Sequence, residues 1–83
     1  MKYIARVEVR LKPGHTDPEG ETTAKSLKDL RYRIESVRVV KVYEITFDVN
    51  SPQEAEEQVE EMCQRLLSNP IKDDYHYDIV EEK

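Results

Sequence analysis

The chain predicts an α+β fold: a two-layer βαββαβ sandwich, with two helices on one face of a four-stranded, mainly antiparallel sheet. Three observations carry that expectation. Apolar and polar residues alternate over residues 2–12, 35–49 and 73–80, the period of a strand with one buried face. Two runs at helical spacing lie between them, each introduced by a capping residue and a proline, Asp17-Pro18 and Ser51-Pro52. Both glycines and two of the four prolines fall between Pro13 and Gly20, so special backbone geometry is concentrated in one loop.

The first strand spans Lys2 to Lys12, with Tyr3, Ala5, Val7, Val9 and Leu11 on one face and mostly charged residues on the other. Pro13 ends its ladder and Gly14 permits a turn with positive φ. Asp17 caps a helix running from about Pro18 to Arg31, with Ala24, Leu27 and Leu30 on its narrow apolar stripe. Gly20 sits in the first turn, where glycine lowers helix propensity, and so implies the close approach of another backbone or of a ligand.

Residues Glu35 to Val49 alternate for too long to be one strand and are read as two, joined by a tight turn near Val40-Lys41. Neither residue is a favoured hairpin residue, so one long bent strand is the other geometry for this stretch. Ser51-Pro52-Gln53-Glu54 is a capping box. The helix it opens carries Ala55, Val59, Met62, Cys63, Leu66 and Leu67 toward the core and ends at Asn69-Pro70. Asp73 to Val80 forms the last strand. The whole of 1–83 is read as one domain.

Composition narrows the function. Charged residues make up 37% of the chain and apolar residues 37%, a thin inventory that favours self-association. With both helices on one side, the even-numbered face of the sheet (Ile4, Val40, Val42 and Val80 among Arg6, Arg10, Glu44 and Asp78) is expected to meet a second copy, in a dimer or tetramer. Residues 1–42 hold ten Lys/Arg and six Asp/Glu, net +4, whereas residues 43–83 hold three and twelve, net −9. An acidic chain with no basic run is a poor partner for nucleic acid or anionic membrane. It also lacks the exposed strand aromatics that stack RNA bases. No signal-peptide core or long apolar run is present, which predicts a cytoplasmic protein.

No catalytic constellation emerges. Cys63 falls on the apolar stripe of the second helix and reads as a core thiol. His15 and His76 have no second ligand at metal spacing, and no cofactor is expected. Lys12, Gly14 and the helix start after Asp17 have the makings of an anion site, but the Asp17 carboxylate would repel an anion. The loop therefore reads as a rigid strand-to-helix connection. The interface candidates are Lys12, Gly14, His15, Asp17 and Gly20 in the loop, with Arg6 and Arg10 on the open face of the first strand.

Several segments, in this order and spacing, resemble the PurS family, the small subunit of phosphoribosylformylglycinamidine synthase. They are Val7-Glu8-Val9-Arg10-Leu11-Lys12 running into Asp17-Pro18-Glu19-Gly20, then Val37-Arg38-Val39 and Lys41-Val42-Tyr43-Glu44-Ile45. Glu61-Met62-Cys63-Gln64-Arg65-Leu66-Leu67-Ser68-Asn69-Pro70 and Asp74-Tyr75 complete the set. The resemblance implies a non-catalytic subunit of a purine-biosynthetic ligase that makes the amidine from formylglycinamide ribonucleotide, ATP and glutamine. In that family the PurL subunit carries the ATP-dependent step and the PurQ glutaminase releases ammonia. PurS joins the two, supports ammonia transfer and self-associates. The chain departs from the family at Val40, where a glycine is common, and at His15, where an apolar residue is common. The alternative is a regulatory dimer of ferredoxin-like plan that senses a small molecule near loop 12–20.

Overall fold

The computed structural model describes residues 1–82. Strand β1 (Lys2–Leu11) is followed by helix α1 (Pro18–Asp29), strand β2 (Lys41–Asp48), helix α2 (Pro52–Met62), which continues as a π-helical turn over Cys63–Leu67, and strand β3 (Asp73–Glu81). The sheet has three strands in the order β2-β1-β3, both pairings antiparallel. The expected four-stranded sheet is therefore corrected to three. The α+β class stands.

The missing strand is the stretch before Lys41, which runs without strand pairing from Tyr32 to Val40. Its backbone groups are spent elsewhere. The Val39 N–H donates to Asp17 Oδ2 at 2.9 Å, and the Arg38 guanidinium donates to the Leu11 carbonyl at 3.0 Å. The Val37 carbonyl lies directly over Gly20. The segment is thus tied to the loop and the start of α1, away from the edge of β2. There is no tight turn at Val40-Lys41; β2 simply begins at Lys41. Alternation alone cannot distinguish a strand from an extended segment held by side chains.

The second departure concerns α1. Helix α2 packs on the sheet, whereas α1 makes almost no contact with the strands or with α2. Its only buried residue is Gly20, while Ala24 and Leu27 are half-buried. Together with its return segment it forms an arm of residues 18–40. The chain measures 51 × 30 × 14 Å, with a radius of gyration of 16.4 Å, against about 12 Å for a compact domain of this length. Arg31, at φ 72°, turns the chain at the end of α1.

The core is small. Tyr3, Ala5, Val7 and Val9 of β1 are buried with Val49, Ala55, Val59 and Cys63. Tyr43, Ile45, Phe47, Tyr75, Tyr77 and Ile79 pack around them from the flanking strands. Ser51 caps α2 by accepting from the Glu54 N–H at 3.1 Å, and Glu54 answers by accepting from the Asn50 N–H at 3.3 Å. At the other end the Ser68 N–H reaches back five residues to the Cys63 carbonyl at 3.0 Å. That wider turn rotates Leu66 outward, so the expected core residue is 83% exposed, while Leu67 stays half-buried.

Candidate functional site

The loop of residues 12–20 is organised by one carboxylate. Asp17 Oδ1 accepts from the Gly20 N–H at 2.9 Å and Oδ2 from the Val39 N–H at 2.9 Å. One side chain therefore caps α1 and clasps the returning segment to it. These bonds, the one from Val39 foremost, hold the Asp17 carboxyl below the usual carboxylate range, and the Arg38 charge adds to the effect. Both oxygens are engaged by backbone N–H groups, so the carboxylate is a fastening and not a free ligand. Gly14 turns the chain at φ 91° with no atom within 4 Å of where a Cβ would stand, and the Lys12 N–H donates to the Lys72 carbonyl at 2.7 Å.

Gly20 is the point of closest approach. A Cβ there would stand 2.4 Å from the Val37 carbonyl oxygen and 2.7 Å from Asp17 Oδ2. The backbone implied by this glycine is thus the chain's own return segment.

The structure gathers Lys12, Gly14, His15, Asp17 and Gly20 around the root of the arm, and Arg10 lines a shared hollow with Asp17, Val39 and Lys41. Arg6 lies apart, on the open face, where its Nη1 donates to Glu44 Oε2 at 3.1 Å. Arg10 is paired with Glu8 on the same face. In the ladder Arg6 also stands opposite Asp78, and Glu8 opposite His76. This face is a mixed-charge lattice with Val42 and Val80 exposed on it.

Cys63 is fully buried, and burial, with Glu60 adding to it, pushes its thiol up. That placement gives an inert core sulfur. His76 stands 3.7 Å from Asp78, both exposed. Among the described residues no group of three His, Cys, Asp or Glu is placed to hold a metal ion, and no helix is long and apolar enough to cross a membrane.

Sequence reasoning missed the exposed apolar residues of the arm and of the loop before β3. Leu30 is 69% exposed and Tyr32 61%, while Ile71 is also exposed. The narrowness of the α1 stripe was the available signal. It fits a helix that does not lie on its own sheet.

The clasp gives a pH prediction. A carboxyl whose folded pKa is lowered contributes stability above its unfolded value, and that contribution is lost as pH falls through the folded one. Acidification below 3.8 is therefore expected to loosen the arm, and Asp17→Asn to remove that acid sensitivity. Circular dichroism of both proteins across an acid titration checks it; identical titrations would show that Asp17 carries no such linkage.

Comparison with known proteins places the whole chain in one context. Residues 4–81 match the model of the family described as PurS, phosphoribosylformylglycinamidine (FGAM) synthase. A protein of Archaeoglobus fulgidus described as phosphoribosylformylglycinamidine synthase subunit PurS is 45% identical over 73 residues, covering 87% of this chain and 91% of the relative. Among solved structures, Thermus thermophilus PurS superposes with a TM-score of 0.89 at 38% identity, covering 100% of both chains. A chain of the structure of PurLQS from Thermotoga maritima gives 0.87 at 22% identity, covering 96% of this chain and 99% of that one. At that identity the likeness is one of fold.

Proposed function

The chain belongs to the PurS family of phosphoribosylformylglycinamidine synthase subunits, and from that premise we propose that it acts as the non-catalytic small subunit that joins a PurL synthetase subunit to a PurQ glutaminase subunit and supports ammonia transfer between them. The Thermotoga maritima neighbour, a chain of a PurLQS structure, supplies the assembly this reading follows. The same reading carries a cytoplasmic location with it, in keeping with the absence of any helix among the described residues long and apolar enough to cross a membrane.

The observation that carries the reading is the shape. A chain 51 Å long whose first helix stands off its own sheet is built to be completed by other chains. Two surfaces ask for a cover. One is the arm, with Leu30 and Tyr32 exposed. The other is the helix-facing side of β2, where Tyr43 and Ile45 remain half-exposed because α2 lies toward β3. A second copy can satisfy both at once: each arm covers the bare half of the other's sheet, an isologous exchange. The loop candidates sit at the root of that arm and fix the direction in which it projects.

The test is reconstitution. With PurL and PurQ subunits, ATP and glutamine, glutamine-dependent amidine synthesis is expected to fall to a small residue when this protein is omitted and to return when it is added back. Unchanged synthesis without it ends the reading.

A further inference from the structure

The outer rim of β3 carries features that neither the arm nor the loop uses. The Lys12 N–H donates to the Lys72 carbonyl and the Glu82 N–H to the Lys2 carbonyl, at 2.7 and 2.8 Å. These bonds put the even-numbered pairs of the β1–β3 ladder in hydrogen-bonded register, as in Ile4 with Val80 and Arg6 with Asp78. In an antiparallel pair the intervening residues turn their backbone groups the other way. The N–H and C=O groups of Tyr75, Tyr77 and Ile79 therefore point out of the free edge of an edge strand.

A groove runs beside that edge, between β3 and α2. One part, of 580 Å³, is lined by Gln53, Glu56, Glu57, Glu60 and Tyr77. A second part, of 330 Å³, continues from Glu56 and Tyr77 to Pro52, Ile79 and Tyr3. No lysine or arginine lines either part. None of the three glutamates is in an ion pair among the described residues. Burial and Glu60 push the Tyr77 hydroxyl up to about 12, so it stays a donor at any physiological pH.

A separate observation points to an occupant. Tyr3 is only 3% exposed, and its hydroxyl is the one buried side-chain polar atom without a hydrogen-bond partner among the described residues. Buried hydroxyls are ordinarily partnered, and this one belongs to a residue lining the groove.

We propose that the groove between α2 and β3 receives an extended, basic segment of a partner protein, which adds as a strand to the free edge of β3, sets Arg or Lys side chains against Glu56, Glu57 and Glu60, and gives the Tyr3 hydroxyl its partner. Strand addition supplies affinity through the backbone and specificity through alternate side chains. Glutamates without an ion-pair partner, Glu60 among them although it accepts from the Tyr75 hydroxyl at 2.9 Å, choose a cationic sequence and speed its arrival. A second copy of this chain fits less well. Among the described residues its return segment ahead of the clasp, 32–36, is unpaired, and it offers Arg33 but also Glu35.

The test uses the full-length protein and three short peptides: one alternating arginine with valine, one alternating glutamate with valine, and one of the arginine–valine sequence with every backbone nitrogen methylated. The arginine–valine peptide is expected to bind, shifting the amide resonances of Tyr75, Tyr77 and Ile79 and protecting them from hydrogen exchange. The glutamate peptide should not bind. The methylated peptide has the same charge but no ladder donors in either strand direction, and should bind about tenfold more weakly. Glu56→Lys with Glu57→Lys should weaken the arginine–valine peptide about tenfold or more at low salt while leaving the circular dichroism unchanged. Tyr3→Phe should weaken it a few-fold. Equal binding of the two arginine peptides, shifts confined to the open face, or concentration-dependent protection of the same amides without peptide would each overturn the proposal. These readouts need no PurL or PurQ, so they fail or succeed independently of the synthase assembly.

Discussion

Replacing Gly20 with valine is expected to release the arm while leaving the sheet folded. Even the first added atom, Cβ, would lie 2.4 Å from the Val37 carbonyl oxygen and 2.7 Å from Asp17 Oδ2. Both neighbours are fixed, one by the backbone and the other by its two hydrogen bonds. The clash cannot be relieved by a flexible side chain swinging away. Either the return segment lifts off α1 or the cap breaks. Overpacking of this kind costs about 1–3 kcal/mol, and α1 has almost no contact with the rest of the chain to resist it. A helix of 12 residues without tertiary support is marginal in water. The expected outcome is a loss of helical circular dichroism matching α1 alone. Self-association measured by light scattering should weaken about tenfold or more, following from the same 1–3 kcal/mol. Gly14→Ala serves as the control. It strains a backbone at φ 91° but meets no atom within 4 Å, so its effect should be local. A Gly20→Val protein with full helical signal and parental association would show that the contact with Val37 does not hold the arm.

The contrast between the two helices explains how much could be read from the sequence. Strand β1, the α2 cap at Ser51 and the strand at Asp73 were legible because their signals are local: period two, a capping box, a proline stop. Asp17-Pro18 was equally legible as a helix start. The destination of that helix was not legible, because a narrow stripe of Ala24 and Leu27 says only that the helix buries little, not where it lies. The segment before Lys41 misled for the same reason. Val37 and Val39 alternate as a strand would, but their backbone partners, Gly20 and Asp17, are chosen by tertiary geometry. At the candidate site, Asp17 and Gly20 were visible as a cap and a close approach, while the identity of the approaching backbone was not. The free hydroxyl of Tyr3 left no trace in the sequence, since nothing in a period-two pattern records whether a buried tyrosine finds a partner.

Replacing Val7 with alanine should do the opposite of the Gly20 change: lower stability sharply and leave the arm's geometry alone. Val7 is fully buried at the middle of the central strand, opposite Tyr43 on one side and Tyr77 on the other, in the cluster formed with Val59 and Cys63. Removing two methyl groups from such a site loses about 0.8 kcal/mol of transfer energy for each, and an unfilled cavity adds to that. A total of about 2 kcal/mol is expected. For a chain of this size that lowers Tm by roughly 10 °C. The loss is a large share of a stability that for small domains is only about 5–15 kcal/mol. Leu66→Ala, at a residue 83% exposed, should change stability by no more than about 0.5 kcal/mol. Thermal unfolding of the two variants side by side separates the cases; equal effects would mean that the stabilising core lies outside the β1–α2 interface. The Val7 variant, still folded below its lower Tm, should associate as the parent does, because none of its lost contacts belongs to the arm. The same protein would thus lose stability through Val7 and assembly through Gly20, as a small sheet with an outstretched helix requires.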